Sequence, residues 1–579
     1  MDTVDDVLSR MTLDEKIGQC LTHSWRGSVI TPCLVETLEE LHAGGLRIEP
    51  YTTEATSSKA YGHDIDTGEW EPPEGYFEVT ETYWRIKHPG FEIPAAEYAR
   101  RLNKVKEIAM NRPSGVPLHV TTDYEGDFSH DFPFDGINMF PPPMGLRAAG
   151  GPELSYKVAN ALGRQLAALG VNMMHSPVCD VNINPGNPEI NIRAFTDDPD
   201  VFAEYALQYM KGLEDAGIIA TAKHFPGRGD SAVDAHDDLP VIEAERDRLD
   251  SVELAPYRRL IAEGLRGVMV AHNAYPALDP ELVPATVSRD IITALLREEL
   301  GFDGVITTDA MGMGAIVRRW GVPVASAMAF KAGVDLILLK FDNELRSQVF
   351  FELKRWVDDG RITEDELDES VRRILTMKME QGLFEDGGKV EAEEATPTLR
   401  DEGIVDLSRQ VARDAIMVLR DRDGLLPIGD DQKVMIIEQL IIPEFVPENV
   451  HYHAHSFGEA MLGHSLKAVP VDCDFEASEE DQKTVMSLLD EVDVVVMTNW
   501  FWRVLGTSNE ALVRAVVQSG TPVVVVTNNP YPMGATPEAG TVICTYSVTP
   551  ESLKAAADLV YGEQEPRGDW PLVNYELPE

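Results

Sequence analysis

Short apolar runs alternate with amphipathic helical stretches across residues 13–380, and this alternation constrains the fold more than any other feature. The eight runs are Ile17–His23, Gly44–Ile48, Val116–Asp123, Val171–Pro177, Ile218–His224, Gly267–Asn273, Gly304–Asp309 and Val334–Lys340. Eight strand–helix repeats predict a TIM-type (β/α)8 barrel enlarged by loops. Most of the runs end in polar residues, and the active sites of such barrels form at the carboxyl ends of the strands.

A second domain is expected because 579 residues exceed what one hydrophobic core accommodates. Residues 384–403 have the composition of a linker, with paired glycines followed by glutamate, alanine, threonine and proline. Five strand candidates come after it: Ala415–Leu419, Val434–Ile437, Val494–Thr498, Val523–Thr527 and Thr541–Tyr546. We predict a barrel domain over residues 1–383 and a second α/β domain over residues 404–579. No Walker or GxGxxG pattern follows these strands, which argues against a nucleotide site.

A long insertion, residues 51–96, separates the second predicted strand from the third and belongs to the face where an active site would form. Its aromatic side chains are Tyr51, Tyr61, Trp70, Tyr76, Phe77, Tyr83, Trp84 and Phe91. These rings could stack on a ligand ring, or they could hold the loop together. We favour the second interpretation for most of them.

The chain carries 98 acidic and 50 basic residues, which gives a net charge of −48 at pH 7. A surface of this charge repels nucleic acids and anionic membranes, so neither is an expected partner. Its self-repulsion destabilises the folded state at low salt, and we therefore predict adaptation to high salt, where the repulsion is screened. No run of about 18 apolar residues occurs, so no membrane span is expected.

The cysteines and the first residues bear on the compartment. Five cysteines are scattered without CxxC spacing, and an odd, sparse set predicts reduced thiols. The first six residues are acidic and lack the basic-then-apolar pattern of a signal peptide. Both features favour a cytoplasmic location, and the sequence does not specify the oligomeric state.

Asp309 is a candidate nucleophile because it ends the seventh predicted strand. The residues after it, Ala-Met-Gly-Met-Gly, are small or flexible and allow a substrate to come close. The alternative is that the Asp309 side chain caps the next helix.

The loop after the fifth predicted strand holds further candidates. Asp234 and His236, two residues apart, have the composition of an acid/base dyad in which the carboxylate orients and tunes the imidazole. The alternative is a solvent-exposed histidine beside a local turn. Lys223 and His224 lie at the strand end itself, where a lysine indicates a function because barrel interiors favour branched apolar residues.

Three alternating histidines, His451, His453 and His455, lie in the second domain. On a strand they would place three imidazoles on one face, an arrangement able to bind a metal. No carboxylate or cysteine partner is evident nearby in the sequence, so we favour an irregular loop and predict no metal site.

Several segments match one known family in order along the chain. They are Met11–Gln19, Lys223–His236, Ala271–Pro280, Phe302–Met311, Ala415–Pro427 and Tyr561–Pro571. On these segments the chain resembles glycoside hydrolase family 3, specifically its β-N-acetylglucosaminidase branch, over nearly its whole length except the insertion. The resemblance implies a TIM-type barrel followed by a C-terminal α/β sandwich domain, a carbohydrate substrate and no cofactor.

The resemblance also implies residue roles. Asp309 matches the nucleophile that forms a covalent glycosyl-enzyme, His236 matches the acid/base, and Asp234 matches its partner. The residues that match sugar-hydroxyl ligands are Asp123, Arg193, Lys223 and His224. The implied reaction is hydrolysis of a terminal β-linked N-acetylglucosamine with retention of configuration.

Three positions depart from the pattern of the branch. Arg228 stands where the branch usually has histidine, Ala235 replaces the usual serine between Asp234 and His236, and Asp127 interrupts the usual Glu-Gly-Gly. The candidate nucleophile and dyad are intact. These departures and the insertion leave the identity of the substrate and its aglycone open.

Other functions remain possible on the same residues. A neutral histidine base would tolerate phosphate as acceptor, which would make the protein a phosphorylase, and Arg228 could help to hold that phosphate. A β-glucosidase or β-xylosidase would keep the fold, although that branch usually takes its acid/base from the second domain. From other classes, Lys223 could form a Schiff base as in an aldolase, or the protein could bind sugar without turnover.

Overall fold

The computed structural model describes most of the chain in eleven stretches. They are residues 2–49, 93–127, 129–132, 136–233, 235, 239–340, 344–429, 431–440, 455–465, 467–501 and 509–576. The aromatic insertion lies outside the described residues except for residues 93–96, and so do His451 and His453.

The first sheet is a closed parallel barrel, as the alternation of apolar runs predicts. Its strands are β1 (Leu21–Arg26), β2 (Gly45–Glu49), β3 (His119–Thr122), β4 (Met173–Met174), β5 (Ile219–Phe225), β6 (Gly267–Val270), β7 (Val305–Thr308) and β8 (Ile337–Leu339). They pair in the order β7-β6-β5-β4-β3-β2-β1-β8. The backbone N–H of Thr308 donates to the carbonyl of Leu336 at 3.0 Å and closes the barrel between β7 and β8. The predicted TIM-type fold is confirmed.

The prediction of a strand over the first apolar run, Ile17–His23, is only partly correct. Ile17 belongs to the helix Leu13–Gln19, and the strand begins at Leu21. This helix is started by a capping box, in which the Thr12 hydroxyl accepts from the Glu15 N–H and the Glu15 carboxylate accepts from the Thr12 N–H. The cap satisfies two of the backbone donors that a helix start leaves without partners.

Helices surround the barrel and lead into the second domain. The α-helices up to residue 380 are Val4–Arg10, Leu13–Gln19, Pro32–Glu39, Ala95–Met110, Pro143–Ala149, Pro152–Leu169, Pro199–Asp215, Arg246–Ser251, Ala255–Ala262, Gly314–Trp320, Val322–Ala332, Leu345–Asp358 and Glu364–Glu380. A π-helix spans Asp290–Glu299, and 3-10 turns span Asn191–Arg193 and Ala285–Val287. The predicted linker region holds Leu383–Asp386, the 3-10 turn Ala392–Glu394, Ala395–Leu399 and the start of Glu402–Asp414.

The second sheet has six strands with helices around it. The strands are β9 (Met417–Asp421), β10 (Val434–Gln439), β11 (Ala468–Cys473), β12 (Val494–Thr498), β13 (Val523–Thr527) and β14 (Thr541–Cys544), paired in the order β11-β10-β12-β13-β14-β9. Only β9 runs antiparallel to its neighbour. The helices of this part are Ser456–Leu462, Glu479–Leu488, the 3-10 turn Leu489–Glu491, Glu510–Ser519 and Pro550–Val560. The predicted second α/β domain is confirmed as a fold, and its boundaries stay a prediction.

Strand β11 is the one element of this sheet that the sequence analysis does not find. It contains Pro470, which cannot donate to a sheet ladder and is tolerated mainly at edges. β11 is an edge strand and only partly buried, so its sequence lacks the continuous apolar run of the central strands β12 and β13. In the described part of the chain, no helix combines the length and the apolar character needed to cross a membrane.

Two buried carboxylates in loops of the barrel accept hydrogen bonds from the second domain. The Oδ2 atom of Asp127 accepts hydrogen bonds from the Val548 N–H at 2.7 Å and from the Ser547 hydroxyl at 3.1 Å. Asp197 accepts from the consecutive N–H groups of residues 573–575. Both contacts bridge the two sheets, so the departure at Asp127 contributes to the interface between the domains.

Asp127 makes the stability of the interface depend on pH. Burial raises the pKa of the Asp127 carboxyl to about 7. Because the ordinary pKa of aspartate is about 3.9, the folded protein holds a proton that the unfolded chain has lost, and stability falls as pH rises from about 4 to about 7. We expect Asp127→Asn, which keeps an acceptor oxygen, to gain about 3 kcal/mol in free energy of unfolding relative to the parent when the pH rises from 5 to 8. Urea unfolding at both pH values measures this.

The matched control is Asp303→Asn, at an exposed position. Its difference from the parent should be the same at pH 5 and pH 8. A pH-independent difference for Asp127→Asn as well would contradict the prediction.

Candidate active site

The carboxyl ends of the barrel strands bring together five of the seven sequence-predicted site residues. Asp123 follows β3, Lys223 and His224 lie near the end of β5, and Asp309 follows β7. The fifth, Arg193, ends the 3-10 turn after β4. The side chains of Asp309 and Asp123 are 15% and 19% exposed, whereas the three basic residues are almost fully buried. Solvent therefore reaches the carboxylates and not the basic side chains behind them.

The Asp309 carboxylate is held on both oxygens. Its Oδ1 accepts from the N–H of Ala310 at 2.7 Å, and its Oδ2 lies 3.6 Å from Nη1 of Arg228 and 3.8 Å from Nε2 of His224. Burial raises the pKa of this carboxyl, but the Arg228 guanidinium and the His224 imidazole, which is protonated in the acid range where Asp309 would titrate, outweigh burial and hold the pKa well below its usual range. Asp309 is thus ionised in the folded protein, as a nucleophile must be.

His224 is fixed between Asp180 and Arg228. Its Nδ1 lies 2.7 Å from Oδ2 of Asp180, and its Nε2 lies 2.8 Å from Nη2 of Arg228. Burial, reinforced by the charge of Arg228, lowers the pKa of His224 to about 4, so the imidazole is neutral at pH 7.

A charged cluster surrounds Asp123 on the other side of the site. The Lys223 ammonium lies 3.0 Å from its Oδ1, Nδ1 of His175 lies 3.1 Å from the same oxygen, and Arg47 contacts Oδ2. Burial raises the pKa of the Asp123 carboxyl, but Arg47 and Lys223 hold it well below the usual range. The cluster therefore presents an ionised acceptor for hydroxyl donors.

Glu125 links the remaining two basic residues. The Arg193 guanidinium forms a paired contact with its carboxylate, at 2.7 Å and 2.8 Å, and the Lys223 ammonium lies 2.5 Å from its Oε1. Nη1 of Arg193 also donates to the carbonyl of Glu189 at 2.6 Å. Lys223 and Arg193 are thus positioned by carboxylates on rigid neighbouring segments.

Asp234 and His236 lie outside the described residues. Ala235, between them, is described and fully buried, and its carbonyl accepts from the N–H of Ala315 at 3.2 Å. Ala315 belongs to the helix Gly314–Trp320 that begins five residues after Asp309. The middle of the dyad loop is therefore attached to the segment that follows the candidate nucleophile.

The second domain touches the turn that carries Arg193. The Asn529 amide donates to Oδ1 of Asn191 at 2.8 Å, and the Asn182 amide donates to the Tyr531 hydroxyl at 3.0 Å. Asn191 has a positive φ of 48°, a conformation that asparagine tolerates better than most residues. The second domain thus helps to shape a loop of the site.

Sequence reasoning missed the residues that position these groups. They are Arg47, Glu125, His175, Asp180 and Glu189. Glu125 and His175 lie just after β3 and β4, so the rule that selected Asp123 would have found them, whereas Arg47 lies inside β2 and Asp180 lies in the loop after β4. Glu189 lies in a loop, and no local signal marks it.

Among the described residues, one group has metal-ligand composition: His464, Asp558 and Glu563. The two ring nitrogens of His464 face one carboxylate each, at 3.0 Å and 3.3 Å, and Lys554 already pairs with Asp558. This arrangement is a hydrogen-bonded ion cluster rather than a convergent ligand set. Of the three alternating histidines, only His455 is described, and it pairs with Asp472 at 3.2 Å.

Comparisons with known proteins agree on one family. Residues 89–377 match the sequence model described as glycosyl hydrolase family 3 N terminal domain. A beta-hexosaminidase A from Pseudoalteromonas piscicida is 33% identical over 362 residues, which are 59% of this chain and 59% of that relative. A beta-N-acetylglucosaminidase/beta-glucosidase from Cellulomonas fimi is 28% identical over 486 residues, 79% of this chain and 84% of the relative. The chain thus spans less than two thirds of the first of these relatives.

A solved structure matches both domains together. The glycoside hydrolase family 3 beta-N-acetylglucosaminidase from Paenibacillus sp. str. FPU-7 aligns with a TM-score of 0.80 and 29% identity. The alignment covers 97% of this chain and 99% of that structure.

Proposed function

The chain belongs to glycoside hydrolase family 3, and from this premise we propose that it is a retaining exo-β-N-acetylglucosaminidase. The observation that carries the proposal is the ionised Asp309 carboxylate at the end of β7, on the same barrel rim as the charged cluster around Asp123. The names of the relatives support N-acetylhexosamine as the sugar. A cytoplasmic location and adaptation to high salt belong to the same proposal.

In the first step, an oxygen of Asp309 attacks the anomeric carbon and forms a glycosyl ester. The bond from that carbon to the aglycone oxygen breaks, and His236 gives this oxygen its proton. Asp234 orients the imidazole and stabilises the imidazolium before the transfer. A histidine acid suits this site because a second carboxylate would add negative charge near Asp309.

In the second step, a water molecule attacks the anomeric carbon from the face that the aglycone left. His236 now takes the proton of the water, the ester bond breaks, and Asp309 regains its charge. Two inversions at one carbon give net retention. We propose that Asp123 accepts from a sugar hydroxyl and that Arg193, Lys223 and His224 belong to the same sugar subsite, which fixes the anomeric carbon against the nucleophile.

The environment of Lys223 favours this role over a Schiff base. Its ammonium is held in ion pairs with two carboxylates, those of Asp123 and Glu125. A Schiff-base lysine must attack as a neutral amine. Borohydride treatment with carbonyl substrates is therefore expected to leave the activity intact.

Trapping the intermediate tests the proposal. We expect a 5-fluoro N-acetylglucosaminyl fluoride, which slows the second step more than the first, to label the protein with one sugar per chain. Peptide mapping should place the label on Asp309, and Asp309→Asn should take up none. A label on another residue would overturn the assignment.

The same protein preparation decides between water and phosphate as acceptor. The Arg228 guanidinium is shared by the carboxylates of Glu189 and Asp309, so it offers little net positive charge to an incoming phosphate. We expect the turnover of an aryl N-acetyl-β-glucosaminide to be independent of phosphate, with free sugar as product. Release of sugar 1-phosphate would identify a phosphorylase, and faster turnover of aryl β-glucosides or β-xylosides would identify the other branch.

A further inference from the structure

Arg228 is a buried cation directly beside the candidate nucleophile. Its side chain is 1% exposed, and its guanidinium lies 2.8 Å from Nε2 of His224, 3.4 Å from Oε1 of Glu189 and 3.6 Å from Oδ2 of Asp309. Its backbone N–H donates to Oδ1 of Asp180 at 2.8 Å. The guanidinium thus joins two carboxylates and one imidazole.

The contact with Arg228 fixes the direction of hydrogen bonding at His224. A guanidinium has only donors, so Nε2 of His224 accepts. Asp180, as a carboxylate, has only acceptors, so Nδ1 carries the proton and donates. His224 is therefore neutral and offers no N–H to Asp309. Of the two described groups that lie within 4 Å of Oδ2 of Asp309, His224 is neutral and Arg228 carries a charge at neutral pH.

Glu189 determines how much of that charge reaches the nucleophile. Its carboxylate is fully buried, and its backbone is anchored because its N–H donates to the Asn187 side chain and its carbonyl accepts from Arg193. The guanidinium consequently has a permanent buried partner besides Asp309. When Asp309 becomes a neutral ester, Glu189 remains to balance Arg228, so glycosylation leaves no uncompensated buried charge.

Building on the proposed function, we propose that Arg228 is a positioning residue for the nucleophile. Shared with Glu189, it holds Oδ2 of Asp309 and makes His224 a hydrogen-bond acceptor. The Asp309 carboxylate is thereby kept ionised and oriented in the free enzyme, and the site stays balanced once that charge is consumed.

The test removes the pair and follows the pH profile. Arg228→Met alone leaves Glu189 buried without its cation and could fail to fold, so the decisive variant is Arg228→Met/Glu189→Gln, which removes both charges at similar volume. We expect the acidic limb of kcat/KM to move to higher pH, because the loss of Arg228 removes the cation that lowers the pKa of His224 and lies 3.6 Å from Asp309. At neutral pH, kcat should fall about 10-fold or more, with a smaller change in KM.

Two further variants separate positioning from packing. Arg228→Lys keeps a cation and should keep the acidic limb near that of the parent. Arg346→Met/Glu36→Gln removes a comparable arginine–glutamate pair, 2.7 Å apart between two outer helices, and should leave the profile unchanged. Circular dichroism at each pH confirms that the limb does not report unfolding.

The inference would be overturned if the Arg228/Glu189 double variant kept the acidic limb of the parent and a kcat within about two-fold of it. Its failure is distinguishable from failure of the proposed function by the trapping experiment. If the parent is labelled on Asp309 while the double variant behaves normally, only the role of Arg228 is wrong. If the parent is labelled elsewhere, the proposed function itself fails.

Discussion

Asp309→Ala is expected to lower kcat for an aryl N-acetyl-β-glucosaminide by about 10⁴-fold or more. The substitution removes the atom that forms the covalent bond and leaves the charges of Arg228 and Glu189 paired with each other. A loss of this size corresponds to about 5 kcal/mol of transition-state stabilisation. Because the backbone N–H of Asp309 keeps its 3.1 Å hydrogen bond to the carbonyl of Val270 whatever the side chain, the variant should fold like the parent.

Azide should restore turnover of this variant with a changed stereochemistry. The small anion fits the space left by the carboxylate and attacks the anomeric carbon from that side, while the aglycone leaves with the proton of His236. One inversion instead of two gives the α-glycosyl azide. Nuclear magnetic resonance of the product measures its configuration. Asp303→Ala, an exposed position on the same segment, serves as the control and should retain full activity without azide.

Residual activity above about 1% of the parent, or a β-glycosyl azide, would contradict the role of Asp309. The first result would mean that another group attacks the anomeric carbon. The second would mean that azide enters from the face of the aglycone.

The barrel could be predicted from the sequence because each of its strands overlaps a separate apolar run. The predicted strand boundaries are least accurate where side chains make hydrogen bonds to the backbone. The run Val171–Pro177 yields only the two residues of β4, and at its start the Asn172 side chain, not a backbone carbonyl, accepts from the Val120 N–H. At β1, the helix Leu13–Gln19, which begins at the capping box of Thr12, overlaps the start of the predicted strand. Both features depend on side-chain hydrogen bonds, which hydrophobic periodicity does not detect.

The site residues likewise fall into those that the sequence predicts and those that it does not. Asp123, Lys223, His224 and Asp309 could be predicted because each lies at a strand end. Charged residues inside a buried strand are a second sequence signal of a site. Arg47 and Glu49, two apart in β2, point to the same face and pair at 2.6 Å. Glu189 could not be found this way, because its partner Arg228 is brought to it only by the folding of two separate loops.

The net charge of −48 is expected to make the thermal stability of the protein depend strongly on salt concentration. At 0.1 M ionic strength the Debye length is about 10 Å, so neighbouring surface carboxylates repel one another; at 1 M it is about 3 Å and the repulsion is largely screened. Unfolding separates these charges, and low salt therefore favours the unfolded chain. We expect the thermal midpoint to rise by about 10 °C or more between 0.1 M and 3 M KCl, which differential scanning calorimetry measures.

Charge variants distinguish screening from a general effect of solutes. Asp358→Asn/Glu369→Gln/Glu480→Gln neutralises three exposed carboxylates and should raise the midpoint at 0.1 M KCl more than at 3 M. Sucrose stabilises folded proteins by exclusion from their surface without screening charge, so it should not reproduce the steep rise. Equal midpoints at both KCl concentrations would contradict the prediction. So would an equal gain in sucrose, because the stabilisation would then owe nothing to the acidic surface.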